Sequence, residues 1–153
     1  MNRKPPLSAR ILKAALIVAL LPLILLALLL FALHRAVLYV LVWLVWLPKG
    51  KDILIVYSNS PIWQDYMTEQ ILPLVENRAI VLNWSERSRW RKWRLKQQVF
   101  HSFGGDREFN PLVVLFRPFR RARLFRFWSA FKDWKHGHTE RLEALKDDLR
   151  MSL

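Results

Sequence analysis

The chain contains no cysteine, which excludes disulfide bonds and thiolate chemistry. Its few glycines do not form the Gly-rich loop that cradles nucleotide phosphates. Serine, histidine and acidic residues do not have a spacing that predicts a catalytic triad or a catalytic carboxylate pair. His136 and His138 flank Gly137 without further ligands nearby, so we expect no metal site. We therefore expect a non-catalytic protein without a cofactor.

Charged residues are also missing from a long stretch near the N-terminus. Residues 14–33 carry no charge, and ten of these twenty residues are leucine. An apolar helix needs about 20 residues to cross the hydrocarbon core of a bilayer, and the insertion free energy of this run sums to about −6 kcal/mol. The run is longer than the core of a signal peptide, and no small-residue cleavage site follows it. The sequence therefore predicts a transmembrane helix.

A short basic arm, residues 1–13, precedes this run and contains four basic residues: Arg3, Lys4, Arg10 and Lys13. Basic residues that flank a span favour the cytoplasmic side, so we expect the N-terminus in the cytoplasm. The soluble part of the chain carries twenty basic residues, which slightly favours the cytoplasmic side for it as well.

A second apolar run, residues 36–47, follows Arg35 and extends the membrane anchor to residues 14–47. One helix of that length would be about 51 Å long, which is more than a bilayer requires. Three arrangements stay open at this point. The helix crosses once and residues 36–47 lie in the far interface, or the chain forms a hairpin near Pro22, or the span shifts to residues 26–47.

The remaining residues, 49–153, are expected to form one basic, Trp-rich domain. Twenty of the 25 basic residues and all 12 acidic residues lie from Pro48 onward, so the domain has a net charge of about +8. Such a charge favours anionic partners, namely phospholipid head groups, nucleic acid or phosphorylated ligands. For a tethered domain, the head groups are the nearest of these.

Apolar runs and helix signals alternate along this domain. The strands are expected at residues 52–57, 79–84 and 111–116, and the helices at residues 61–76, from Ser85 or Ser88 to about 103, at 124–134 and after Thr139. This order predicts a three-layer α/β domain with a short, mostly parallel sheet of about three strands and C-terminal helices. It resembles the flavodoxin-like and Toll/interleukin-receptor-like folds, and residues 52–61 (DILIVYSNSP) are similar to the opening strand and turn of the latter. The resemblance implies a fold and assigns no functional residue.

Polar residues follow each expected strand, where parallel sheets bind their ligands. The candidates for anion binding are Ser58, Asn59, Ser60, Ser85, Arg87 and Arg117. Glu86 is the carboxylate at a strand end that could act as a general base, which makes it the candidate catalytic residue. We favour the interpretation that these residues cap helices and form turns, and the alternative is a small nucleotide- or phosphate-binding enzyme that uses this crevice.

Two further segments are candidates for recognition. The loop residues Gly104, Gly105, Asp106, Arg107 and Glu108 form either a lid or a helix stop that leads into a strand. Tryptophan alternates with basic residues in the next candidate set: Trp90, Arg91, Lys92, Trp93 and Arg94. This alternation suits a membrane surface, a nucleic-acid surface, or an amphipathic helix that buries its tryptophans. We favour a membrane-anchored interaction module that binds anionic lipid or a membrane-protein partner, ahead of nucleic acid or a small anionic ligand.

Overall fold

The structure, a computed structural model, describes the backbone of residues 7–153 and the side chains of residues 16–153. The side chains of the predicted basic arm, residues 1–13, lie outside the described residues. The chain divides into two compact units, Met1–Val37 and Leu38–Leu153, and the boundary falls inside the first helix.

The first helix, α1, runs from Leu7 to Val45 and continues through Pro22, so the chain does not turn back at that residue. Within the described residues, one helical stretch is long and apolar enough to cross a membrane, Leu16–Lys49. Its side chains up to His34 are exposed. The predicted long apolar helix near the N-terminus is therefore confirmed.

The second unit contains a four-stranded sheet with the order β2-β1-β3-β4. Its strands are β1 (Ile53–Tyr57), β2 (Ala79–Asn83), β3 (Leu112–Leu115) and β4 (Arg123–Arg126). β1 and β2 are parallel, whereas β3 is antiparallel to β1 and β4 is antiparallel to β3. The α/β class is confirmed, but the expectation of a mostly parallel, three-stranded sheet is wrong because the sheet is mixed.

The error has two physical causes. A buried run such as Leu112–Leu115 (LVVL) has no polar alternation and does not encode its direction, and the helix before it does not by itself make the strand parallel. Residues 124–127 also have apolar spacing that suits a helix, yet Arg123–Arg126 pairs with β3 as an antiparallel hairpin. In this strand Phe125 faces one core cluster and Leu124 packs against the other, as successive residues of a strand do, while Arg123 at the start of the strand is exposed.

Helices cover both faces of the sheet. One face is covered by the helical segment Gln64–Val75, by α5 (Trp128–Lys135) and by α6 (Glu140–Ser152). Gln64–Val75 comprises α2 (Gln64–Tyr66), a π-helical turn (Met67–Ile71) and α3 (Leu72–Val75). The other face is covered by α4 (Leu95–Gly104) and by residues near the end of α1. α4 begins later than expected, because residues 84–89 form a 3-10 helix and a turn precedes Leu95.

The end of α1 belongs to the core of the second unit. Leu38, Val42 and Trp46 are buried in a cluster with apolar residues of β1, β3 and α4. The ring of Trp46 lies 6.1 Å from the ring of Phe116, with an edge-to-face geometry. The sheet face thus depends on side chains that precede Pro48.

Candidate functional site

Several predicted polar residues meet at one edge of the sheet, where β1 and β2 end and β3 begins. The backbone N–H of Asn59 donates to Ser85 Oγ at 3.0 Å. Asn83 Nδ2 donates to Asn59 Oδ1 at 2.7 Å, and Asn83 Oδ1 accepts from the backbone N–H of Ser85 at 2.9 Å. These three residues therefore hydrogen-bond to one another across two parallel strands.

Ser58 is buried behind this network and binds two further side chains. Its Oγ accepts from Trp63 Nε1 at 3.1 Å and from Asn110 Nδ2 at 2.9 Å. The hydroxyl groups of Ser58 and Ser85 therefore already have hydrogen-bond partners within the protein. Asn110, which the sequence did not single out, leaves its Oδ1 buried and without a hydrogen bond in the described structure. It lines a cavity of about 240 Å³ with Trp84, Glu108, Phe109 and Trp128.

The structure separates other predicted residues from this edge. Ser60 Oγ accepts from the backbone N–H of Ile62 at 3.4 Å, as in a turn. Arg117 follows β3, and because β3 is antiparallel it lies at the opposite edge of the sheet. Its guanidinium donates to the carbonyl oxygen of Ser152. Arg117 is therefore not part of a common crevice with Ser58.

Glu86 and Arg87 lie on the exposed 3-10 helix that follows β2. The guanidinium carbon of Arg87 stands 5.3 Å from the ring centre of Trp84, which is a cation–π distance. Glu86 borders a second cavity of about 240 Å³, between the end of β2 and the start of α4. This cavity, termed the basic cavity, is lined by polar and charged side chains from Glu86, Arg89, Arg91, Arg94, Lys96 and Gln97.

Gln97 is the buried polar group of the basic cavity, with 3% of its surface exposed. Its Oε1 has no hydrogen-bond partner in the described structure. Arg94 is the N-cap of α4, and its side chain makes no hydrogen bond to the first backbone N–H groups of the helix. Arg89, Lys96 and Gln97 are not among the residues that the sequence singles out, although the basic run that leads directly into a helix is a signal for them.

The two predicted membrane-surface tryptophans differ in their surroundings. Trp90 is half-buried, and its ring lies 5.5 Å from that of Trp84 and 5.6 Å from that of Phe100. Trp93 is 72% exposed. The guanidinium carbons of Arg91 and Arg94 stand 6.0 and 5.9 Å from its ring centre.

Lys92 lies between these arginines and is exposed. Its carbonyl oxygen accepts from Gln98 Nε2 at 2.6 Å, which ties the turn to α4. Trp93 and its flanking cations therefore lie on a turn that this hydrogen bond holds against the start of α4.

A second exposed aromatic residue, Phe119, was not singled out by the sequence. It is 92% exposed in the loop between β3 and β4, and its φ of 58° is in the left-handed region. Its ring lies 5.3 Å from that of Trp43, and the backbone N–H of the nearby Ala122 donates to the Tyr39 hydroxyl at 2.6 Å. Basic residues surround this loop in the sequence: Arg117, Arg120, Arg121 and Arg123.

The predicted loop after α4 borders an open groove lined by Gly105, Asp106, Arg107, Glu108 and Arg126. Gly104 packs tightly, because an added Cβ would lie 3.0 Å from Phe100 Cε2. Gly105 has φ +69° and ends α4, and Arg126 donates to the carbonyl oxygen of Arg107 at 2.5 Å. The middle of this loop is thus hydrogen-bonded to the last residue of β4.

The pKa shifts in the described structure lie away from these surfaces. Burial raises the pKa of Tyr66, and so does the neighbouring Glu143, which accepts from its hydroxyl at 3.3 Å. The carboxylate of Asp52 raises the pKa of Arg78 by hydrogen bonding to its guanidinium. Among residues 16–153, no three His, Asp or Glu side chains are grouped so as to hold a metal ion.

No protein-family model matches this chain, and neither a curated protein nor a solved structure matches it significantly. Its function is therefore inferred from the geometry of its own residues.

Proposed function

We propose that this chain is a membrane-anchored, non-catalytic interaction module whose basic, Trp-bearing surface binds anionic lipid. The long apolar helix supports the anchor, because its length and composition suit a bilayer crossing. The basic residues before it support a cytoplasmic N-terminus, and the net charge of the domain, about +8, supports a cytoplasmic domain that lies near anionic head groups.

The observation that carries the proposal is the exposure of Trp93 between two arginines. An indole ring that is 72% exposed leaves apolar surface in water, and tryptophan is enriched where bilayer and water meet. Arg91, Lys92 and Arg94 stand beside it as donors for lipid phosphates. Each basic residue near an anionic surface contributes about 1 kcal/mol, so these three contribute about 3 kcal/mol before the ring is counted.

The Phe119 loop supports the same proposal from another part of the domain. An exposed aromatic ring within a basic loop again matches the chemistry of an interface. The loop packs on Tyr39 and Trp43, which follow closely on the uncharged run that ends at Leu33. A loop attached there stays close to the point at which an anchored chain leaves the hydrocarbon.

The experiment uses the full chain in vesicles, and the absence of cysteine permits a single labelled site. Lys92→Cys carries an environment-sensitive fluorophore, and the vesicles contain a nitroxide-labelled phospholipid as quencher. Phosphatidylcholine vesicles with about 30% phosphatidylserine should give strong quenching, whereas phosphatidylcholine alone should give weak quenching. A label at Lys135→Cys, at an exposed position of α5, is the matched control and should be quenched weakly in both kinds of vesicle.

Two variants examine the cause of the quenching. Trp93→Ser and the charge reversal Arg91→Glu/Arg94→Glu should each reduce quenching at position 92 in phosphatidylserine vesicles. Trp90→Ser should instead lower the thermal stability, because Trp90 packs on Trp84 and Phe100. Equal quenching at positions 92 and 135 in every lipid mixture would contradict the proposal. A reporter fused to the C-terminus would report the side of the membrane on which the domain lies.

The alternative, a small enzyme with Glu86 as general base, has less support from the geometry. The hydroxyl groups of Ser58 and Ser85 hydrogen-bond within the protein, and Arg117 lies at the far edge of the sheet. Glu86 itself is exposed and borders a cavity rich in cations. Substitution of Ser58 by alanine should therefore leave lipid binding by the folded protein unchanged.

A further inference from the structure

The basic cavity has a composition that differs from an ordinary solvated surface. Four cationic side chains, those of Arg89, Arg91, Arg94 and Lys96, line about 240 Å³ of space, with Glu86 as the one carboxylate among its lining residues. Like charges that converge on a concave site repel one another, and an anion in the cavity relieves that repulsion. Arginine also matches phosphate geometrically, since its planar fork donates two parallel hydrogen bonds.

The start of α4 adds a second attraction for a phosphate. Leu95 and Lys96 occupy the first turn, where backbone N–H groups have no acceptor within the helix. The N-terminal end of a helix carries a partial positive charge and binds anions. Since Arg94 supplies no side-chain cap, no protein carboxylate or hydroxyl from that position competes for this end.

Gln97 adds an unpartnered acceptor to the residues that line the basic cavity. Its carbonyl Oε1 is buried without a donor, and Glu86 is a further acceptor at the same cavity. A buried acceptor without a partner carries a desolvation cost, which a hydroxyl donor removes. Inorganic phosphate at neutral pH is a single small anion with one or two P–OH groups, whereas a phosphorylated polyol carries several hydroxyl donors at a distance from its phosphate acceptors.

We propose that the basic cavity binds a phosphorylated polyol as the head group of an anionic lipid, an assignment that rests on the proposed membrane function. The volume is below the roughly 300–1,000 Å³ of pockets for drug-sized ligands, which suits one head group. Arg91 and Arg94 border both the cavity and the ring of Trp93. A head group held in the cavity therefore lies beside the ring that enters the interface.

The first experiment titrates soluble ligands into the full chain in nanodiscs of phosphatidylcholine, with calorimetry as the readout. The probes are inositol 1,4-bisphosphate, inorganic phosphate and unphosphorylated inositol. We expect the bisphosphate to bind at least about tenfold more tightly than either of the others, because it brings two phosphates to the cations and ring hydroxyl groups to Gln97, whereas inorganic phosphate lacks the ring and inositol lacks the phosphates. Equal affinity for inorganic phosphate would overturn the polyol assignment.

The second experiment compares two charge-matched double variants. Arg89→Gln/Lys96→Gln removes two cations of the cavity that do not flank Trp93, and Lys135→Gln/Arg150→Gln removes the same charge from exposed positions on α5 and α6. The cavity variant should lose about tenfold or more in affinity for the bisphosphate, and the control should stay within about twofold. Equal losses would assign the binding to net charge and overturn the site.

Gln97→Leu removes the unpartnered acceptor Oε1 with little change in side-chain volume. It should weaken binding of the bisphosphate and leave the affinity for inorganic phosphate unchanged. Near-UV circular dichroism of each variant reports whether the fold is retained, and Gln97→Asn provides the polar alternative if the leucine variant is disordered. An unchanged affinity for the bisphosphate in a folded Gln97 variant would contradict the role of this amide.

A third arm distinguishes the lipid from a free metabolite. The label at Lys92→Cys is measured in vesicles with phosphatidylinositol 4-phosphate, and in vesicles with phosphatidylserine at equal total charge. Stronger quenching with the phosphoinositide, lost in Arg89→Gln/Lys96→Gln, supports the head group as the ligand. Soluble binding without this preference overturns the lipid source, whereas loss of quenching in both vesicles contradicts the proposed membrane docking instead.

Discussion

The last turns of α1 make a testable contribution to the stability of the sheet domain. Leu38, Val42 and Trp46 are 3%, 0% and 4% exposed and cover the sheet face opposite α5 and α6. Two fragments separate this contribution from that of the rest of the domain. Residues 34–153 keep all three side chains, and residues 49–153, the domain as the sequence delimits it, lack them.

The expected loss is large compared with the stability of a small domain. Burying one large apolar side chain stabilises by about 1.5–3 kcal/mol. Removal of Leu38, Val42 and Trp46 therefore costs roughly 5–9 kcal/mol, an upper estimate because an unfolded chain already buries part of this surface. Domains of this size have a free energy of unfolding of about 5–15 kcal/mol. The fragment 49–153 should thus be unfolded or loosely packed.

Near-UV circular dichroism and urea unfolding in mild detergent measure this difference. The fragment 34–153 should give a cooperative transition, and 49–153 should have little near-UV signal and bind a hydrophobic dye. Within 34–153, Val42→Ala should lower the free energy of unfolding by about 2 kcal/mol, whereas Val40→Ala, at a position that is 46% exposed, should change it by less than about 0.5 kcal/mol. Equal unfolding midpoints for the two fragments would refute the reasoning.

Two further predictions concern polar contacts of the same domain. Asp52→Asn should lower the free energy of unfolding by about 1–2 kcal/mol in urea titrations, because Arg78 donates two hydrogen bonds to this carboxylate where β1 and β2 begin; an unchanged midpoint would contradict this. The raised pKa of Tyr66 predicts stability that is complete below about pH 10, the pKa of an unfolded tyrosine, and that declines as the pH rises through the folded pKa. Tyr66→Phe should reduce this decline above pH 10, and identical alkaline profiles for both proteins would contradict the assignment.

The sequence predicted those features that local composition determines. The uncharged run of residues 14–33 predicted a long apolar helix, and the buried runs predicted β1, β2 and β3 close to their observed positions. The direction of β3 depends on the end of the sheet at which the chain enters this strand, and that end is set by the tertiary structure. For the same reason, the sequence grouped Arg117 with Ser58, although antiparallel pairing separates them.

The same limit applies to the candidate surfaces, because the sequence predicts their residues but not which of them are exposed. Trp90 and Trp93 have equivalent neighbours in the sequence, since basic residues flank both. Periodicity distinguishes inner from outer positions only in a regular element, and the backbone leaves the 3-10 helix at Arg89 before α4 begins. The sequence therefore indicated an interfacial segment without indicating which ring is exposed. Gln97 became a candidate only when its burial and its unpartnered oxygen were known.

The short fourth strand also affects how copies of this protein meet. β3 consists of four buried apolar residues, Leu112–Leu115. If it were the edge strand, its unpaired backbone groups could pair with a strand of another molecule. β4 occupies that edge instead and places Arg123 and Arg126 at its two ends. A charged outer strand therefore disfavours pairing between the sheets of two copies.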